Sequence, residues 1–339
     1  MRILCVTRFP VAAGDRWLWN DLPAAADDVH FIQATRACGH WLRQVDRRAR
    51  QEPFDLIVTW ENGAGLPLAL WRWLRAETRP PLVFLTLAAK PYLRRLRFLA
   101  RRWLRGVTHI TAPSNWEATR YGSLFHLPAS HISACPLGSY DVRRHMAARG
   151  RHSPDDGHRL AVFAGGRTDR DYATLLTALA DVPASTMISA PSTQLRRLRQ
   201  PAHVTFAPLL PVDDYFAALM RCRIVAAPLR PVPHAAGLTL LLDAMSAGRP
   251  VVCADLPVTR EYVTPGVTGL LLPPGEATAW RDGLLTLLGD AERCRWMGEQ
   301  ARARWEREFA FPRFARRAYA VLRRAAAVEP EGHAEAMDI

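Results

Sequence analysis

The chain has 339 residues, of which 49% are hydrophobic, so it is long enough to form two domains that each bury a core. Its formal net charge of +13 at pH 7 indicates an anionic partner or surface. No stretch offers the ~20 uninterrupted apolar residues of a membrane span, and six scattered cysteines exclude both a disulfide framework and a cysteine-based metal site.

The first half of the chain alternates short apolar runs with amphipathic stretches, a pattern typical of parallel strands wrapped by helices. It predicts strands at residues 2–7, 55–60, 82–86 and 109–112. It also predicts helices at residues 66–75 and 91–107. The opening run, MRILCVTRFP, lacks the long apolar core and the small-residue cleavage site of a secretion signal, so we expect a cytoplasmic protein.

The second half repeats this alternation. It predicts strands at residues 160–163, 186–190, 204–207, 224–227, 251–253 and 269–272, and helices at residues 172–180, 213–221, 238–247, 277–289 and 291–308. The fold class that follows is α/β, with two doubly wound, Rossmann-like domains. We expect the two domains to face each other across a cleft at the carboxyl ends of their strands, where ligands of such sheets bind.

The domain boundaries are visible in the composition. Residues 140–159 are rich in charge, Gly, Ser and Pro and have no apolar periodicity, which predicts a linker. We therefore predict an N-terminal domain at residues 1–145 and a C-terminal domain at residues 155–310. A helix at residues 311–327 is expected to cross back to the N-terminal domain, followed by a disordered tail at residues 328–339.

One predicted strand–turn–helix junction has the composition of a phosphate site. In AVFAGGRTDRDYATLL, residues 161–176, an apolar strand runs into Gly166 and Arg167, and a helix follows Arg170. Glycine lets the backbone approach a ligand, while guanidinium groups and helix N-terminal amides favour a phosphate. The alternative is a tight turn with two solvated arginines.

A second junction lies in HAAGLTLLLDAMSAGRPVVCAD, residues 234–255. Gly237, Leu238 and Thr239 would present free N–H groups at the start of a helix, which makes a second anion cradle. Asp243 follows Thr239 by one turn on the same side of that helix, where its carboxylate could accept hydrogen bonds from ribose or sugar hydroxyls. The alternatives are a plain turn at Gly237 and a solvated aspartate.

Together the two junctions resemble the donor half of retaining glycosyltransferases of the GT-B type, especially family four (group 1). Arg167 matches the arginine of the first family motif, and Arg170 stands where a lysine is usual. Asp243 stands at the second carboxylate of the family's Glu-x7-Glu motif, while Ala235 occupies the position of the first, with His234 beside it. The runs SAGRPVVCAD and TREYVTPGVTGLLLPPGEA match as well, so the resemblance covers roughly residues 108–325.

The resemblance implies an enzyme of hexosyltransferase type that moves a sugar from a UDP- or GDP-type nucleotide sugar to a glycan or lipid-linked acceptor in polysaccharide biosynthesis. It implies neither metal nor cofactor, since Gly166, Arg167, Arg170 and the amides that follow Gly237 would stabilise the leaving diphosphate. His234 is a candidate substitute for the missing first carboxylate. Retention is implied too, but that missing carboxylate and a missing family histidine in the first domain leave inversion open.

The first half, which would bind the acceptor, offers fewer candidates. Gly14, in the loop RFPVAAGDR at residues 8–16, resembles the family's glycine near the donor phosphates. Asp15 and Glu61 are candidate general bases if the reaction inverts. The alternative is that both carboxylates cap helices.

The predicted helix from Pro91 to Val107 combines an apolar stripe with a basic face. The stripe consists of Tyr92, Leu96, Leu99, Trp103 and Val107. Residues 90–107 carry seven Lys or Arg side chains and no acid. Either the stripe packs on the sheet, or the helix meets an anionic membrane surface, such as the inner face of the plasma membrane, and the two interpretations are compatible.

Other functions remain open at this level. A non-catalytic GT-B-like protein, associated with a membrane as a partner, would explain Ala235 but not a retained diphosphate site. A nucleotide-sugar epimerase or hydrolase on the same fold would need additional carboxylates in the cleft. Nucleic acid is not an expected partner, because only the net charge suggests it and no nucleic-acid-binding module is present.

Overall fold

The computed structural model describes residues 1–8, 27–35, 38–88, 91–150 and 160–327. The chain divides into two compact units. Unit 1 comprises Met1–Pro136 and Phe314–Ile339, and unit 2 comprises Leu137–Arg313. Each unit is built on a six-stranded sheet of its own.

The sheet of unit 1 is parallel, with the strand order β2-β1-β3-β4-β5-β6. Its strands are β1 (Arg2–Thr7), β2 (Asp28–Gln33), β3 (Leu56–Thr59), β4 (Leu82–Phe84), β5 (His109–Ala112) and β6 (Ile132–Ala134). Its helices include α1 (Cys38–Gln51), α2 (Asn62–Leu74), α3 (Pro91–Arg95), α4 (Arg97–Arg105) and α5 (Asn115–Phe125). The order reverses between β1 and β3, so the carboxyl ends of these two strands form the topological switch point.

Unit 2 has the strand order β12-β11-β10-β7-β8-β9, again parallel. Its strands are β7 (Leu160–Gly165), β8 (Thr186–Ser189), β9 (Val204–Ala207), β10 (Cys222–Ala227), β11 (Val251–Ala254) and β12 (Gly269–Leu272). Its helices are α6 (Val142–Ala147), α7 (Tyr172–Leu179), α8 (Ser192–Leu195), α9 (Val212–Arg221), α10 (Leu238–Ser246), α11 (Pro257–Tyr262), α12 (Ala277–Gly289) and α13 (Ala291–Arg304). Here the switch point lies between β7 and β10.

The doubly wound α/β class predicted from the alternation is confirmed in both units. Central strands such as β1 are buried on both faces, which is why they read as continuous apolar runs. The prediction missed β2 and β6, the two edge strands of unit 1. β2 (DVHFIQ) is largely accessible and mixes polar with apolar residues, and β6 has only three residues, so neither produces an apolar run.

The predicted single helix of residues 91–107 is wrong in two respects. It is interrupted at Leu96, which separates α3 from α4. The buried row is Leu93, Ala100, Leu104 and Val107. Of the predicted stripe, Tyr92, Leu96 and Leu99 are exposed and only Val107 is buried. A shift of one residue rotates a helix by about 100°, so the larger apolar side chains turn away from the core.

The final helix, α14 (Phe311–Ala327), belongs to unit 1 from Phe314 onward. The Phe314 ring meets Trp60 edge to face at a centroid distance of 5.3 Å. Arg317 donates an Nη2 hydrogen bond to the Pro136 carbonyl over 2.9 Å. Leu322 is fully buried in the same unit. Residues from opposite ends of the sequence therefore complete one core.

We predict that Leu322→Ala destabilises unit 1 by about 2–5 kcal/mol, because the shorter side chain leaves a cavity in a closely packed core. Urea unfolding monitored by tryptophan fluorescence measures the change. Arg323→Ala, at the exposed neighbouring position, serves as the control and should change stability by less than about 0.5 kcal/mol. Equal effects of the two substitutions would show that α14 contributes no core to this unit.

Candidate functional site

The two motif segments of unit 2 meet at its topological switch point. Gly166 directly follows β7, and Pro228 directly follows β10, the neighbouring strand. Backbone hydrogen bonds join the two connections, from Asp171 N to Pro228 O over 2.7 Å and from Arg230 N to Asp169 O over 2.9 Å. The crevice expected at this point is therefore lined by both motifs.

Arg170 fills the junction between the two segments. Its Nε donates to the Gly165 carbonyl over 3.0 Å, and its Nη1 donates to the Thr168 carbonyl over 2.9 Å. A Cβ on Gly166 would stand 2.6 Å from the Arg170 Cζ, and one on Gly237 would stand 3.4 Å from its Nη1. Both glycines also adopt positive φ, at 135° and 78°, where other residues are strained. Gly166 therefore leaves room for the guanidinium, and the backbone conformation of both turns favours glycine.

The electrostatic consequence is a cation held in a desolvated position. Burial lowers the pKa of Arg170, yet a guanidinium remains charged at neutral pH. The carbonyls that bind it are neutral, so they orient the charge without cancelling it. A phosphate approaching this point would be strongly favoured.

The start of α10 adds donors beside this charge. Gly237 is the N-cap residue, and the backbone N–H groups of the first helical turn have no acceptor within the helix. The Leu238 side chain is buried, so this residue offers only its backbone, whereas Thr239 is exposed. The helix dipole and the orphan amides both attract an anion.

His234 lies in the connection before α10 and faces an acidic partner. Its Nε2 stands 3.2 Å from Oδ2 of Asp169. Asp169 adopts a left-handed backbone with φ of 57°, which is uncommon for a residue other than glycine. The Nδ1 atom of His234 is buried and has no hydrogen-bond partner within the described part of the chain. If Nε2 carries the proton toward Asp169, Nδ1 retains a lone pair that can accept a hydrogen bond.

Asp243 points into unit 2 and not toward solvent, so the alternative of a solvated aspartate is wrong. The residue is 5% exposed, and its Oδ2 accepts a hydrogen bond from the Tyr215 hydroxyl over 3.1 Å. A hydrogen bond from Ser139 also reaches the carboxyl group. Burial raises the pKa of Asp243 to about 7, and these hydrogen bonds only partly oppose the rise. The ribose contact predicted for this carboxylate stays a prediction.

Arg167 differs from Arg170 in its surroundings. It is exposed, and its carbonyl accepts a hydrogen bond from the Gln194 side chain. This contact fixes the backbone of the turn while the guanidinium extends into solvent. The interpretation of two solvated arginines therefore holds for Arg167 and fails for Arg170.

In unit 1, Glu61 follows β3 and lies at the switch point of that sheet. Its Oε1 accepts a hydrogen bond from the backbone N–H of Arg8, the residue after β1, over 2.9 Å. Glu61 occupies the N-cap position of α2, but its side chain makes no capping bond, so the capping interpretation is wrong for this carboxylate. Burial raises the pKa of Glu61. Gly14 and Asp15 lie outside the described residues.

Sequence reasoning missed the partners that orient these groups. Asp169 binds His234 across 65 positions, and Tyr215 binds Asp243 across 28. Ser139 additionally accepts a hydrogen bond from the Trp305 indole over 2.9 Å. No periodicity or motif links such distant residues.

Over residues 1–8, 27–35, 38–88, 91–150 and 160–327, no group of three or more His, Cys, Asp or Glu side chains is placed to hold a metal ion. The positive groups at the unit 2 switch point are the Arg170 guanidinium and the backbone amides at the start of α10.

Part of unit 2 matches a known protein family. Residues 162–290 match the family model of group 1 glycosyl transferases. A D-inositol 3-phosphate glycosyltransferase of Nocardia farcinica is 36% identical over 98 residues, which are 29% of this chain and 21% of that protein. A phosphatidyl-myo-inositol mannosyltransferase of Mycobacterium leprae is 40% identical over 65 residues, or 19% of this chain and 17% of that protein. The chain thus matches about a fifth of the length of these relatives.

Solved structures extend the likeness to the whole fold. HepE of Anabaena, crystallised in complex with UDP, superposes with a TM-score of 0.69 at 18% identity, covering 96% of this chain and 100% of that one. The predicted resemblance is confirmed: the chain has the GT-B fold, and residues 162–290 form a group 1 glycosyltransferase domain.

We predict that Asp243→Asn changes the pH dependence of stability. Between the unfolded value of 3.8 and the folded pKa of about 7, the native state binds more protons than the unfolded state, so stability falls as pH rises through this window. Over the whole window the loss is at most roughly 4 kcal/mol. The asparagine variant should lack this slope, which urea unfolding between pH 4 and pH 8 measures.

Asp282→Asn, at an exposed position of α12, is the matched control and should retain the slope. Parallel stability profiles for the wild type and Asp243→Asn would show that this carboxyl group does not titrate with a raised pKa.

Proposed function

We propose that this chain transfers a sugar from a nucleoside-diphosphate sugar to a glycan or lipid-linked acceptor. The observation that carries the proposal is the Arg170 guanidinium, held by carbonyls beside the free amides of the α10 start. Negative charge grows on the diphosphate as its bond to the sugar breaks, and preorganised positive groups stabilise that charge. Since these groups belong to the protein, we propose that the donor requires neither a metal nor a cofactor.

The donor would be held along the unit 2 switch point. Gly166 allows the backbone to approach the ligand closely. Arg170 and the amides after Gly237 bind the inner phosphate oxygens. The exposed Arg167 binds the phosphates from the solvent side. Asp243 remains our proposed acceptor for the ribose hydroxyls. In that role its carboxylate exchanges a hydrogen bond from the protein for one from the ligand.

The proposed transfer is retaining. The bond between the sugar carbon and the diphosphate oxygen breaks, the acceptor oxygen forms its bond on the same face, and the acceptor proton passes to the departing phosphate. No enzymatic nucleophile is then required. His234 occupies the neighbourhood of the missing family carboxylate, and its Nδ1 lone pair would accept a hydrogen bond from a sugar hydroxyl.

If the transfer inverts instead, Glu61 is the proposed base. Its raised pKa improves its ability to accept a proton near neutral pH. The anomeric configuration of the product, read by NMR, decides between the two mechanisms. A retained configuration rules out Glu61 as the base of a single displacement.

The substrates are proposed from relatives. HepE binds UDP, so a UDP-type donor is the first choice, with GDP as the alternative. The mycobacterial relative is named for a phosphatidylinositol acceptor, which supports a lipid-linked acceptor here. We propose a place in polysaccharide or glycoconjugate biosynthesis at the cytoplasmic face of a membrane. None of the helices in the described ranges is long and apolar enough to cross a bilayer.

We predict that Arg167→Ala weakens nucleoside-diphosphate binding by about 10- to 100-fold, the loss expected for one charge-assisted hydrogen bond. Calorimetric titration with UDP, GDP and ADP, with and without magnesium, measures this. Because Arg167 is exposed, Arg167→Ala removes the charge without disturbing the packing of the site. Arg170→Ala would also remove the side chain that fills the junction.

Arg295→Ala, at an exposed position of α13, removes the same charge elsewhere in unit 2 and should leave the affinity unchanged. Metal-independent binding of one nucleotide identifies the donor class. Failure of all three nucleotides to bind would overturn the proposal and favour a non-catalytic GT-B protein.

We predict that His234→Ala lowers the turnover of the nucleotide sugar at least tenfold while changing the affinity for the free nucleoside diphosphate less than twofold, estimates that follow from one lost hydrogen bond to the sugar. Asp169→Asn keeps a hydrogen-bond acceptor for the imidazole and should retain most of the turnover. Loss of nucleotide affinity in His234→Ala would place the imidazole on the phosphates.

A further inference from the structure

Three helices of unit 1 leave apolar side chains in solvent. Trp73 and Leu74 end α2, while Tyr92, Leu96, Phe98 and Leu99 lie on or between α3 and α4, and all six are between 39% and 72% exposed. They are six of the eleven large hydrophobic side chains that are exposed in the described part of the chain. Since α2 packs against α4, we treat these residues as one surface, called the α2–α4 surface.

Other side chains of the same helices make the core contacts of the unit. α4 already buries Ala100 and Leu104, and α3 buries Leu93. Phe98, at 72% exposure, projects from the face of α4 opposite to this buried row. A clustered apolar surface of this kind on a water-soluble unit marks an interaction site.

The charge on the α3 and α4 side of the surface has one sign. Arg94, Arg95, Arg97, Arg102 and Arg105 are exposed, and residues 91–105 contain no acidic residue. The Arg97 guanidinium stacks on the Phe98 ring, 4.9 Å from its centroid, so cation and apolar groups are directly adjacent. Some exposed arginines elsewhere have carboxylate partners, as in Arg260 with Asp255.

We propose that the α2–α4 surface docks this protein onto an anionic lipid bilayer. Phe98, Leu99 and Leu74 enter the boundary between headgroups and acyl chains, while the arginines bind lipid phosphates. Apolar groups and cations together match that boundary, which presents hydrocarbon and negative charge in one plane. A second copy of the chain would bring unneutralised arginines against each other, and charge repulsion disfavours that arrangement.

The surface lies in unit 1 and shares no residue with the nucleotide site proposed in unit 2. Docking can therefore be tested independently of the proposed transfer reaction. Nucleotide titration on each variant reports whether unit 2 is intact when lipid binding changes.

The test is co-sedimentation of the full chain with vesicles of phosphatidylcholine alone or mixed with phosphatidylglycerol. One variant removes charge, Arg94→Gln with Arg95→Gln and Arg97→Gln, and a second removes apolar contact, Phe98→Ser with Leu99→Ser. The charge-matched control, Arg196→Gln with Arg197→Gln and Arg199→Gln, removes three exposed arginines from unit 2. The apolar control is Leu285→Ser with Trp296→Ser, both exposed in unit 2.

We expect binding only to the vesicles that contain phosphatidylglycerol, weakened on the order of a hundredfold by the unit 1 arginine changes. The Phe98 and Leu99 changes should weaken it at least tenfold, and both controls should bind like the wild type. Equal losses in the arginine control would assign binding to net charge and overturn the proposal. Absence of vesicle binding, or self-association that the Phe98 and Leu99 changes abolish, would also overturn it.

Discussion

The proposed donor site depends on one constraint, the placement of the Arg170 guanidinium between Gly166 and Gly237. A Cβ on Gly166 would stand 2.6 Å from the Arg170 Cζ, and both glycines adopt positive φ, so glycine at the two positions suits the place of this cation. Its partners are the carbonyls of Gly165 and Thr168, which bind the charge and leave it unneutralised. Arg302 shows the opposite arrangement, since its Nη2 lies 2.6 Å from an oxygen of Asp141. A paired arginine holds segments together, whereas one bound by carbonyls retains attraction for an incoming anion.

The two units contain carboxyl groups whose pKa is raised by burial, but their surroundings differ. Asp243 receives hydrogen bonds from Tyr215 and Ser139, so its oxygens are already engaged within unit 2. The carboxylate of Glu61 is bound at one oxygen by the Arg8 amide, and its other oxygen is buried without a hydrogen-bond partner in the described part of the chain. The bond from Tyr215 fixes the orientation of the Asp243 carboxyl group, whereas the unbonded oxygen of Glu61 suits a group that accepts a proton.

The central strands, the two motif segments and the fold class were predictable from sequence, because strands buried on both faces produce apolar runs and glycine marks the turns between strand and helix. The edge strands β2 and β6 of unit 1 were not, since β2 mixes polar with apolar residues and β6 has only three residues. The orientation of α4 was missed because the break at Leu96 changes which residues face the core. The pairing of His234 with Asp169 depends on how distant segments meet in three dimensions, and a single sequence does not encode it locally.

The return of α14 to unit 1 has a consequence for biosynthesis. Unit 2 is one continuous segment, so it has all its residues as soon as Arg313 leaves the ribosome. Unit 1 begins first but lacks Phe314 and Leu322 until unit 2 has been synthesised. The unit made first is therefore completed last, and its unfilled core is open to chaperones throughout synthesis.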